Sequence, residues 1–156
     1  MKAITFIDTS VLCELIEVPG KSRGDGVVRA EFQARAVDGE RFVIPITAVI
    51  ETGNHIEQAS GDRRGAALRL AAVLASAAAD RPPFASNEVT WDSAFMGELL
   101  AGDSTGQPFV DLAGNGQMGA GDVAILVERD RYAAASALGR ARVGIWTLET
   151  VLGAYS

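Results

Sequence analysis

Four carboxylates in the 156-residue chain stand where short apolar runs give way to polar residues or helical patterns. Asp8 closes the run "AITFI" and directly precedes two hydroxyl residues, Thr9 and Ser10. Glu51 follows "RFVIPI" in the first turn or so of a helical pattern, Asp122 follows "GNGQMGAG" and opens "DVAILVERD", and Glu149 comes just past "VGIWT". In open α/β sheets ligands bind outside the carboxyl ends of the strands, where loops and helix N-termini converge. Four carboxylates on one such rim repel and raise one another's pKa, so a shared site calls for a counter-charge. A hard divalent cation, Mg²⁺ or Mn²⁺, takes oxygen ligands and keeps several waters. One or two such ions can activate a water and stabilise the leaving oxygen of a phosphodiester. Helix N-termini at Glu51 and Asp122 would favour the ionised carboxylates.

Each acid also has a plainer use. Asp8 can cap the helix that follows it, and Asp122 and Glu149 can be first-turn acids. Glu51 lies between Ile50 and Thr52 in an apolar helix start, where a merely solvated charge is less expected. His55, the only histidine, lies four residues after Glu51 on the same helix face, and no second nitrogen or sulfur ligand is near it in sequence. Arg63, Arg64 and Arg69 form one basic group, and Lys21, Arg23 and Arg29 another; either contacts a substrate's phosphates if it flanks the rim, and otherwise is a solvated face.

Other phosphate chemistries fit less well. An aspartyl-phosphate enzyme wants a second Asp at position 10, where Ser10 stands, and "GNGQMGAG" lacks the lysine and preceding strand of a phosphate-binding loop.

The elements that must position these groups alternate. The spacing predicts a strand over 3–7, a helix over 10–17 stopped by Pro19 and Gly20, and a strand over 41–46; over 25–37 "RAEFQARAV" alternates like a strand, but its Ala, Glu, Gln and Arg content favours a helix. Thr47 is expected to cap a helix running to about Ala59, followed by a helix over 62–79 after Ser60 and Gly61. "EVTW" (88–91) reads as a third strand leading into a short helix over 92–100, and the Gly-rich stretch 102–121 as one long loop. A long helix from Asp122 and a strand "VGIWT" complete the chain. Strands separated by helices imply a parallel sheet covered on both faces, hence an α/β fold.

Composition sets the outer bounds. The length suits one domain with a sizeable core. Hydrophobic residues make up 48% and charged residues 22%, with mean hydropathy +0.16, so the chain is globular rather than disordered. A net charge of −6 excludes nucleic-acid binding by bulk electrostatics, so any such contact runs through a local patch or through metal ions. No apolar stretch is long enough for a membrane span, the N-terminal run is too short for a signal peptide, and the single Cys13 forms no internal disulfide; a cytoplasmic location is expected. Within an apolar helical pattern Cys13 reads as a small core residue.

Taken in order, "FIDTSVL", "PITAVIETGNHI", "GAGDVAILVERD" and "IWTLET" resemble the four acidic motifs of PIN-domain ribonucleases, and among bacterial members the chain is most similar to toxins of VapC type. The resemblance runs from Ala3 to about Thr150. It implies a three-layer α/β/α sandwich with a mainly parallel sheet of about four or five strands. It also implies Mg²⁺- or Mn²⁺-dependent RNA cleavage. Asp8, Glu51 and Asp122 would be the metal ligands, Glu149 the fourth acid, and Thr9 or Ser10, with Thr147, the hydroxyls that orient them. His55, Arg63 and Arg64 would be candidate RNA contacts. A cognate antitoxin protein and a homodimer are the partners such toxins suggest, with the Ala-rich helices 62–79 and 122–138 as candidate interfaces or core. The alternative expectation, raised by Glu149 where the family usually has Asp, is a catalytically weak or inactive PIN-fold interaction module.

Overall fold

The structure, a computed structural model, describes residues 2–156. Its centre is a parallel four-stranded sheet in the order β3-β2-β1-β4, formed by β1 (Ile4–Ile7), β2 (Arg41–Val43), β3 (Phe84–Ala85) and β4 (Val143–Trp146). Because parallel neighbours need crossovers, helices fill the connections: α1 (Thr9–Leu15), α2 (Val27–Val37), α3 (Ile46–Gln58), α4 (Arg63–Ala78), α5 (Ser93–Ala101), α6 (Phe109–Gly114) and α7 (Ala120–Ser136), while α8 (Thr150–Gly153) follows β4.

Strand residues alternate between two cores, as the period of two requires. Ile7, Phe42, Phe84 and Trp146 pack with Val11, Leu12, Val28, Ile56 and Leu70 of α1 to α4. On the other face Ile4, Phe6, Val43 and Ile145 pack with Leu112, Val123, Leu126 and Leu152 of α6 to α8. The result is the three-layer α/β/α arrangement. Cys13 is buried in the first core, where burial pushes its thiol pKa up. Among the described residues no helix is long and apolar enough to cross a membrane.

Three sequence expectations are corrected. Strand β2 stops at Val43, and Pro45, with no N–H and φ −70°, occupies the N-cap position of α3; Thr47 therefore lies inside the helix and caps nothing. "EVTW" is not a strand. The third strand is the two-residue β3 just before it, and the chain then leaves the sheet because Asn87 and Trp91 are drawn to Glu128 by side-chain hydrogen bonds. The stretch 102–121 is not one loop, since α6 starts after Pro108 and buries Leu112.

Candidate functional site: an acidic cleft at the sheet's switch point

The chain places β2 and β3 on one side of β1 and β4 on the other, so the crossover direction reverses between β1 and β4. That is where an open parallel sheet forms a crevice at its carboxyl edge. The β1–β4 register pairs Ile7 with Trp146, and the Asp8 N–H donates to the Trp146 carbonyl at 3.0 Å, which brings Asp8 and Thr147 side by side.

A cleft of about 340 Å³ opens there, lined by Asp8, Glu51, Asp122 and Glu149 together with Thr9, Ser10 and His55. Asp8 occupies the N-cap position of α1, yet its carboxylate makes no capping bond. Instead Asp8 Oδ2 accepts from Ser10 Oγ at 3.0 Å and from Thr147 Oγ1 at 2.8 Å. The Ser10 hydroxyl in turn accepts from the Leu148 N–H and that of Thr147 from the Glu149 N–H, both at 3.0 Å, tying the β4–α8 connection to α1. Thr9 Oγ1 donates to Glu51 Oε2 at 2.8 Å. Asp8 Oδ1 and Glu51 Oε1 have no protein donor among the described residues.

Glu51 is the sixth residue of α3 and exposed to solvent, rather than a first-turn acid in an apolar wall. Its Oε1 sits against the first turn of α7, where a Cβ on Gly121 would lie 2.3 Å away. Asp122 does lie in that first turn, but the helix N-terminus does not keep it acidic. Burial first, then the charges of Glu149, Asp8 and Glu51, raise its pKa to about 6, and the Gly119 amide offsets this only in part. The Glu149 carboxyl is also raised, by burial and then by Asp8 and Glu51.

The sign of that shift gives a stability prediction. Folding favours the protonated Asp122, so its stabilising share is complete below the ordinary carboxyl value and is lost as pH rises through about 6. Asp122→Asn is therefore expected to raise stability above pH 6 by about 1 kcal/mol, after allowance for solvent screening of a half-buried group, and to flatten the decline between pH 4 and 6. Urea titrations across that range check it.

Sequence reasoning missed one acid of the cleft. Glu14, on α1 one turn after Ser10, is buried and accepts from Ser22 Oγ at 3.0 Å, from the Arg23 N–H at 3.0 Å and from Arg23 Nε at 3.3 Å. The Ser10–Glu14 spacing of four was the available signal. Its bonds fold the loop after α1 back, so that Lys21 and Arg23 line the cleft. Arg63 and Arg64 do not line it; they start α4, where Arg63 donates to the Glu57 carbonyl at 3.3 Å. Arg69 ties α4 to the end of α1 through the Ile16 carbonyl at 2.7 Å.

The donors around the cleft are hard carboxylate oxygens, the chemistry Mg²⁺ or Mn²⁺ selects. Among the described residues, however, no three His, Cys, Asp or Glu side chains stand in a ready-made ligating arrangement. The acids surround one space without converging on one point. Compared with protein-family models, with curated proteins and with solved structures, the chain has no match.

Proposed function

We propose that this cleft is the centre of a divalent-cation-dependent endoribonuclease that hydrolyses RNA phosphodiester bonds. The observation that carries the reading is the Asp122 carboxyl, raised to about 6 by burial and by three neighbouring acids, which marks negative charge that the protein's own groups leave unbalanced. Asp8, Glu51 and Asp122 would hold Mg²⁺ or Mn²⁺, with Glu149 at the rim as a further oxygen donor. When bound, the cation supplies Lewis acidity at the phosphate and lowers the pKa of a water.

The remaining work falls to the chain's own groups. Ser10 and Thr147 hold Asp8 from one oxygen, so the other stays turned to the cleft. Thr9 steadies Glu51 in the same way. Lys21 and His55 line the walls, as does Arg23, which is paired with Glu14 at 3.3 Å; with the cation bound, the Lys21 ammonium would meet an incoming phosphate, which lets an acidic protein take an anionic polymer. Arg63 and Arg64 lie outside the cleft lining and would meet only flanking RNA. The motif resemblance to PIN-domain ribonucleases supports the same reading. With it come the further proposals of a toxin in the cytoplasm, paired with an antitoxin protein and acting as a homodimer.

The test is cleavage of labelled RNA with Mn²⁺ and with chelator, by the wild type and by Asp122→Asn. Cleavage that needs the cation and vanishes in the variant supports the nuclease; cleavage equal in both refutes this site. The second reading, a catalytically weak interaction module of the same fold, is favoured by the lack of a converged three-ligand arrangement among the described residues. It predicts no heat of Mg²⁺ or Mn²⁺ binding at millimolar concentration.

Gly121→Ala separates site from scaffold. Alanine is the better helix former by about 1 kcal/mol, but its Cβ would displace the Glu51 carboxylate, whose flexible end can move away. The expected outcome is unchanged or slightly higher thermal stability with cleavage about ten- to a hundredfold slower, read from melting curves and initial rates on one preparation.

A further inference from the structure

Beside the acidic cleft, along α3, lies a second groove of about 560 Å³ whose walls include Ile46, Ile50, Val89 and Trp91. Three of these are large apolar side chains left open to solvent: Ile46 is 44%, Ile50 55% and Trp91 45% exposed. Trp91 is nonetheless held rigidly. Its indole stacks on the fully buried Phe95, with ring centroids 4.6 Å apart and planes 19° apart, and its Nε1–H donates to Glu128 Oε1 at 2.8 Å. Glu128 is itself fully buried on α7 and also accepts from Asn87 Nδ2 at 3.0 Å. Burying a carboxyl group is costly unless it is hydrogen-bonded, and the bonds that Glu128 accepts fix the strap 87–91 and the attitude of an exposed indole.

We infer that this groove is a nucleobase subsite, in which Trp91 stacks a base of single-stranded RNA next to the scissile phosphate. The inference rests on the ribonuclease reading of the acidic cleft. Continuity with that cleft comes from α3: Glu51 directly follows Ile50, and Ile46 is about 7 Å back along the helix axis. Charge selects the part of the nucleotide that enters. The groove's one ionisable lining residue is Glu88 and its other walls are mainly apolar, which excludes phosphate and suits a base; the cleft, with five carboxylates against Lys21 and Arg23, takes the backbone only through the cation of the nuclease reading. A preordered aromatic face loses little entropy on stacking and accepts any base. The subsite therefore favours unpaired RNA over duplex, whose bases are not free to leave the stack.

The test titrates an RNA octamer, and a series of the same octamer with one abasic nucleotide moved along it, into the full chain with Mg²⁺ and with chelator. Trp91 emission reports directly, since the other tryptophan, Trp146, is buried. The expected results are quenching on binding, a loss of about tenfold in affinity for one abasic position, and Trp91→Ala binding all octamers alike, about ten- to a hundredfold more weakly than the wild type binds the intact one. Trp91→Phe, which keeps an aromatic face, falls between. Ile50→Ser narrows the same preference without touching the Glu128 bond, and covers the case in which Trp91→Ala does not fold. Wild-type cleavage with base-bearing and abasic octamers bound alike by every folded form would overturn the subsite and leave the nuclease standing. An octamer neither bound nor cleaved in Mn²⁺ would overturn the nuclease and the subsite together. Self-association broken by Ile50→Ser with RNA binding unchanged would make the groove a protein interface and overturn the inference.

Discussion

Asp8→Asn is expected to slow cation-dependent RNA cleavage by about a hundred- to a thousandfold while leaving the melting temperature unchanged or slightly higher. The magnitude follows from the several kcal/mol of transition-state charge stabilisation that a correctly held divalent ion contributes. Geometry explains the expected retention of structure. Asp8 makes no capping bond to α1, and its contacts are with two hydroxyls, Ser10 Oγ and Thr147 Oγ1, both meeting Oδ2. An asparagine carbonyl can accept both, whereas the negative charge is gone and repulsion with Asp122 is eased. Asp8→Ala is the informative contrast. It leaves the Ser10 and Thr147 hydroxyls only each other, 3.4 Å apart, and should loosen the tie between α1 and the β4–α8 connection, lowering stability by about 1–3 kcal/mol. Initial rates and melting curves on both variants decide the matter. Full activity in Asp8→Asn would exclude this cleft as the reaction centre.

Asp130→Ala is expected to cost about 3 kcal/mol of stability, a fall of about 6–12 °C in melting temperature. Arg129, on α7, is 1% exposed, and its Nε donates to Asp130 Oδ1 at 2.6 Å. Its remaining protein bond is to the Tyr155 carbonyl at 3.1 Å, and one terminal nitrogen is buried with no partner. Asp130 also gathers Ser104 Oγ at 2.7 Å and Arg140 Nε at 3.4 Å, so it joins the loop after α5 and the approach to β4 to the central helix. Removing it leaves a guanidinium in a site where burial already lowers its pKa. The control is Arg129→Met, which removes the buried charge together with the pair and should cost less. Equal losses in the two variants would show that packing, not the stranded charge, sets the penalty.

Much of the scaffold follows from local pattern. The apolar runs at 4–7 and 143–146, with helical spacing between them, suffice for parallel strands with crossovers, because each strand must bury both faces and each helix one. Asp62 and Asp92 cap α4 and α5 at the positions where the helical patterns at 62–79 and 92–100 begin. The same local logic placed Asp8, Asp122 and Glu149 at strand or helix ends, since a carboxylate beside an apolar run leaves few other positions for its charge.

Other features depended on contacts distant in sequence. Glu128 and Arg129 look like the solvent side of an amphipathic helix, yet both are buried, because the strap 87–91 and the C-terminal residues bring polar partners that a local pattern cannot contain. "EVTW" has the composition of a strand, and two side-chain bonds to Glu128 outweigh that propensity. Glu14, Lys21 and Arg23 reach the cleft only because the loop after α1 folds back on the Glu14 carboxylate. Which acids were available, and that a parallel sheet would carry them at one edge, followed from local pattern. How close they come, that their mutual repulsion and burial raise the Asp122 pKa to about 6, and which cations and aromatic face stand beside them came from packing between distant segments, because burial and Coulomb energy depend on distances through space.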